Sequence, residues 1–169
     1  MLADVPGERR GELRVQDGTG SWTDESSGQP ILATTLDELV AAEVNLGRVR
    51  LVKCDTDGFD LRILRGAPRL LTTGPVLFFE YDPDACPDED GPSFLEWLGE
   101  LGYERLLLWD NFGRLLLSTT PHEAGLLADV DAYYRQNPDS YLDIAAYASH
   151  DAELADEIAA AERAGSRRS

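Results

Sequence analysis

Two apolar runs in this chain end in carboxylates, and no other residues are better placed to do chemistry. Val49 to Cys54 runs into Asp55 and Asp57, and Pro75 to Phe79 runs into Glu80 and Asp82. Residues two apart on an extended segment share a face, so Asp55 and Asp57 can point the same way where the first run ends. Carboxylates crowded together resist ionisation, and a carboxylate so held can take the proton of a hydroxyl near neutral pH. The same oxygen-rich set is suited by ligand type to a divalent cation, although its spacing is not that of any metal motif. Neither His122 nor His150 has a readable partner for nucleophilic catalysis. Asp57 and Asp60 also fall where a following helix begins, and capping or dipole pairing there contributes on the order of 0.5–2 kcal/mol. Asp60 is read in that structural role. Asp55, Asp57 and Glu80 are the candidate site residues. Lys53, the single lysine, is read as a stem reaching to solvent from a strand end rather than as an ion pair.

The elements that would position these groups are legible around them. Val49, Leu51 and Val52 predict a buried strand, Gly58 a turn, Phe59 to Arg65 a helix, Gly66 and Pro68 a break, and Pro75 to Phe79 a second buried strand. Strand, helix and strand make a right-handed βαβ unit whose two parallel strands carry acids at their carboxyl ends. Ligands of open α/β sheets bind along that edge.

Upstream, residues 1–12 are polar and turn-rich and predict a flexible lead-in, with a short strand at Leu13 to Val15. The Gly18-Thr19-Gly20 that follows lacks the third glycine and the adjoining helix of a dinucleotide loop, and residues 23–28 after it read as loop. Thr35 and Glu38 form a capping box for a helix carrying Leu36, Leu39 and Val40, which Gly47 ends. Downstream, residues 82–92, DPDACPDEDGP, predict an acidic surface loop with Cys86 exposed in it. A second capping box, Ser93 to Glu96, opens an amphipathic helix that runs to Gly102. Tyr103 to Trp109 and Arg114 to Thr119 predict an antiparallel hairpin across Asp110-Asn111-Phe112-Gly113. A helix over 121–136, a strand over 141–147 and a closing helix over 150–163 complete the chain, with residues 166–169 frayed.

Composition bounds the function. At 169 residues and 43% hydrophobic content the chain suits one domain with its own core, here residues 13–165. A net charge of −17, from 32 acidic against 15 basic residues, disfavours nucleic acid and anionic membrane as partners. Two cysteines give neither a disulfide framework nor a zinc spacing, which suits a reducing, cytoplasmic setting. No basic-then-apolar leader and no long apolar run is present.

The order TLDELV, then VRLVKCDTDGFDLRILRGAPRLL, then PVLFFEYDP resembles the FkbM-type methyltransferase family. The matching residues are Thr35, Leu36 and Asp37; Lys53, Asp55, Asp57 and Gly58; Leu64, Gly66 and Ala67; and Glu80, with Asp57 standing where the family usually has glutamate. The resemblance runs from about Leu13 to Ser118, and YLDIAAY is similar to the family's closing strand. It implies an α/β fold: the C-terminal half of a class I methyltransferase (Rossmann-like) three-layer sheet, mostly parallel with an antiparallel C-terminal hairpin, its first strands missing. It also implies S-adenosylmethionine as cofactor, although the family's glycine-rich cofactor loop is not found in this chain. The implied reaction is O-methylation of a hydroxyl on a sugar, glycan or polyketide-like small molecule. Asp55 would orient the acceptor or serve as base, with Asp57 and Glu80 fixing it. A partner chain or a second copy completing the sheet is expected. The alternative is a non-catalytic remnant or interaction domain that pairs with another chain through an exposed sheet edge.

Overall fold

The computed structural model describes residues 1–16, 19–24, 27–43, 49–56, 58–86, 90–138 and 140–165. Asp57, the expected helix end at Gly47 and the tail over 166–169 lie outside them. The chain forms two sheets. The first is a three-stranded antiparallel sheet in the order β2-β1-β3, from β1 (Gly7–Gln16), β2 (Thr19–Asp24) and β3 (Gln29–Ala33). The turn-rich lead-in is strand from Gly7 onward, and of the loop expected over 23–28 Thr23 and Asp24 belong to β2. Leu2 forms a further bridge with Thr34.

A helix, α1 (Leu36–Glu43), follows, opened by the expected capping box: Glu38 N donates to Thr35 Oγ1 at 3.1 Å and Thr35 N to Glu38 Oε2 at 3.4 Å. Its buried Asp37 accepts from Arg69 N and Leu70 N at 2.9 and 2.8 Å, which satisfies two free amides where the next helical segments begin.

The second sheet is mixed, in the order β4-β5-β8-β6-β7, from β4 (Leu51–Cys54), β5 (Val76–Tyr81), β6 (Tyr103–Asp110), β7 (Leu115–Thr119) and β8 (Leu142–Ala148). Between β4 and β5 run α2 (Asp60–Arg65) and α3 (Pro68–Leu71), and β4 pairs parallel to β5, as expected of the βαβ unit. The expected hairpin is present: β6 and β7 pair antiparallel around Gly113, whose φ of +73° suits glycine. The mostly parallel sheet is corrected. Of its four pairings only β4–β5 is parallel, because β8 returns antiparallel between β5 and β6 and separates two strands that run the same way. This α/β fold with its five-stranded mixed sheet is consistent with part of a Rossmann-like domain.

One face of this sheet is covered by α2, α3, α4 (Gly91–Glu100) and α5 (Ala124–Arg135), over a core that includes Leu64, Leu77, Phe79, Phe94, Leu98 and Leu106. On the other face α6 (Ala152–Gly165) packs on β6, β7 and β8, over Leu107, Ala145 and Tyr147. The cap of α4 is Asp90, whose carboxylate accepts from Ser93 N at 3.1 Å, so Ser93 lies within the first turn rather than at its head. Arg50 holds the start of β4 to the 3₁₀ turn Ser149–Asp151 through two hydrogen bonds to Asp151, of 2.9 and 3.0 Å. Cys86, expected to be exposed, is buried, with its thiol donating to the Asp82 carbonyl at 2.7 Å. Among the described residues no helix is long and apolar enough to cross a membrane.

Candidate active site at the carboxyl edge of the sheet

Strand directions bring the candidate acids to one edge. Since β8 is antiparallel to both β5 and β6, the carboxyl ends of β4, β5 and β6 lie beside the start of β8. Alternation along β5 turns Leu77, Phe79 and Tyr81 into the main core and Val76, Phe78 and Glu80 to the opposite face. In register, Lys53 stands beside Phe78, and Asp143 faces both Glu80 and Trp109. Lys53 Nζ donates to Asp55 Oδ2 at 2.5 Å, which fixes Asp55 on that same face. Asp55, Glu80 and Asp143 thus share one rim.

The charges on this rim act on one another. Glu80 is pushed up to about 7, first by its partial burial and then by repulsion from Asp60, Asp55, Asp82 and Asp143. Asp143 is also raised, by burial and then by Asp55, with Lys53 opposing. Tyr141, just ahead of β8, is held neutral to higher pH by burial and then by Glu80, Asp143 and Asp55. A carboxyl group at about 7 changes protonation state near neutral pH, the property a general base for a hydroxyl needs.

Beneath the rim, Asp60 is a structural tie. Only 1% exposed, it accepts from Thr56 N at 3.1 Å, Thr56 Oγ1 at 2.8 Å and Glu80 N at 3.4 Å. It binds the loop after β4 to the end of β5 and holds the two acidic strand ends in fixed relation. The expected carboxylate cap of α2 is replaced by Phe59, which makes no side-chain cap bond. Cys54 lies buried below Asp55, its thiol pushed up to about 12 chiefly by burial, and serves as core.

Of the three acids expected at the site, the structure brings Asp55 and Glu80 together, whereas Asp57 lies outside the described residues. Lys53, read as a free stem, is an ion-pair partner of Asp55. Asp143 and Tyr141 were missed. An acid interrupting the apolar run of YLDIAAY was the available signal, but its value depends on β8 lying next to β5, which spacing along the chain does not reveal. Among the described residues no group of three His, Cys, Asp or Glu side chains could hold a metal ion.

S-adenosylmethionine would need a glycine-rich turn open to the ligand beside free helix amides. The glycine after β4, Gly58, has φ of +97°, but a Cβ built on it would meet Ala85 atoms at 2.8 Å. That turn is closed by its own neighbours and does not form the cofactor's cradle.

The family model for the Methyltransferase FkbM domain matches residues 6–105, from the start of β1 to the start of β6. No curated protein and no solved structure gives a significant match.

Proposed function

Because the chain belongs to the FkbM methyltransferase domain family, we propose that it provides the acceptor-activating half of an S-adenosylmethionine-dependent O-methyltransferase. Its substrate is a hydroxyl-bearing small molecule such as a sugar, a glycan or a polyketide. One observation carries the reading: Glu80, with a pKa near 7, stands beside Asp55 on the rim where such sheets bind ligands. The cofactor, when bound, would supply the methyl group from its sulfonium sulfur; Glu80 would accept the proton of the acceptor hydroxyl, and Asp55, held by Lys53, would orient the acceptor. Of the two roles expected of Asp55 this keeps the orienting one, and it gives the base, the other, to the half-buried Glu80.

In this reading the cofactor-binding strands pair along β4, which among the described residues is bonded to β5 on one side only. Calorimetry with S-adenosylmethionine, on the chain alone and with a separately supplied cofactor-binding half, tests the reading. Cofactor binding and methyl transfer in the complex, with transfer lost in Glu80→Gln while cofactor binding is kept, are the expected results. Full transfer by Glu80→Gln would overturn the assignment. A second reading, an interaction domain without catalysis, is favoured by the same open edge of β4. It predicts a stable complex with a partner chain but no transfer.

A further inference from the structure

A groove of about 530 Å³ opens between α5 and the β6–β7 hairpin, wholly within residues 110–140 and so beyond the segment that the family model matches. That volume is in the range of small-molecule sites, roughly 300–1,000 Å³. Four large apolar side chains that the chain leaves exposed, Phe112, Leu116, Leu126 and Tyr133, all line it. Leu126, Asp129, Val130 and Tyr133 recur at three- and four-residue spacing, which is one stripe of α5. Buried Tyr134 contributes as well, its ring edge-to-face with Tyr133.

The charged groups that line the groove have one sign. Asp110 and Asp129 line it, and among the described residues no basic side chain does. Asp110 raises Tyr134, after burial, so its negative charge is felt inside. Arg114 lies over the Phe112 ring at 5.7 Å and shows that this aromatic rim accepts a positive charge on its face. With Arg114 already on Phe112, the Tyr133 ring, set among apolar walls in the same groove as the two carboxylates, is the face that selects an organic cation.

We propose that this groove binds a small amphipathic cation, a substituted ammonium on a flat apolar body, with the charge against Tyr133 and Asp129 and the body between Leu116 and Leu126. The site is independent of the transferase reading, since it shares no residue with the acidic rim. Calorimetry with benzyltrimethylammonium, its neutral carbon isostere neopentylbenzene and the anion benzenesulfonate tests it on the intact chain. The cation should bind saturably at millimolar concentration or better, the neutral compound more weakly, and the anion not at all. Tyr133→Ala and Asp129→Asn, both at exposed helix positions, should each weaken the cation by about 2–30-fold with an unchanged melting curve. Equal binding of all three probes, no saturable binding of the cation, or undiminished binding by both variants would overturn the proposal. So would light scattering that shows a dimer dispersed by Leu116→Glu, which would assign the groove to a second copy of the chain.

Discussion

Glu80 is the group of the rim on which the surrounding acidity acts most visibly. Its pKa of about 7 lies above that of a carboxyl group in the unfolded chain, so the folded state binds the extra proton. The stability of the folded state therefore falls as pH rises from the unfolded value toward about 7, and the full loss is present above it. Glu80→Gln removes that loss, so the variant should melt a few degrees above the parent at pH 8 and together with it at pH 4, as followed by circular dichroism. A parent that melts higher than the variant at pH 8 would reverse the sign. The midpoint itself can be moved from outside. Asp55→Asn deletes one repelling charge and leaves Lys53 without its partner, and both changes favour the Glu80 carboxylate. Titration of the Glu80 carboxyl by carbon NMR should show a midpoint below the parent's about 7. Asp55 and Glu80 were readable as a pair because each ends an apolar run, and that pattern depends on local sequence alone. Asp143 was not, because it acts only through the strand next to it.

At the level of elements, the parts that were legible are those in which neighbouring residues determine structure. The Thr35–Glu38 capping box, the Asp110–Gly113 turn and the helix after β4 are of this kind. The first sheet was hidden for the opposite reason. β1 reads GERRGELRVQ, glycine-broken and charged, and Glu8 and Arg10 are exposed along it. Its backbone pairs with a strand on each side, and so charged and glycine-broken a run offers little alternation to read from sequence. Asp37 shows a third case, a residue whose role is tertiary although its position in the T-L-D motif is local. Its carboxylate satisfies Arg69 N and Leu70 N, so Asp37→Ala leaves two amides without their acceptor beside a buried helix start. The expected cost is about 2–4 kcal/mol, with Asp37→Asn, which retains one acceptor oxygen, losing roughly half as much. Urea unfolding measures both, and an alanine variant within error of the parent would remove the tie from the account of this fold.

For the whole molecule the decisive feature is β4. Four residues long, it is bonded to β5 on one side and to nothing described on the other, and Leu51 on its uncovered face is 59% exposed. α6 packs on the other half of that face, over β6, β7 and β8; Val76 and Phe78 of β5 are partly buried against the cluster beneath it, and Leu51 of β4 is left exposed. An open edge beside an uncovered apolar face suits the addition of a strand and a covering helix. Two copies of this chain are poor candidates to supply them, because each carries −17 and pairing along β4 would bring both acidic rims together. The open edge therefore calls for a different polypeptide segment, the one that holds the cofactor in the proposed enzyme. Hydrogen exchange reads this directly. In the chain alone the amides of Leu51–Cys54 should exchange faster than those of Leu77–Tyr81, which have strands on both sides. Adding the cofactor-binding half should slow β4 selectively and leave the β6–β7 hairpin, at the far side of the sheet, unchanged. Should Leu51–Cys54 be as protected as β5 in the isolated chain, the edge has nothing left to bind, and a transferase completed across β4 is excluded.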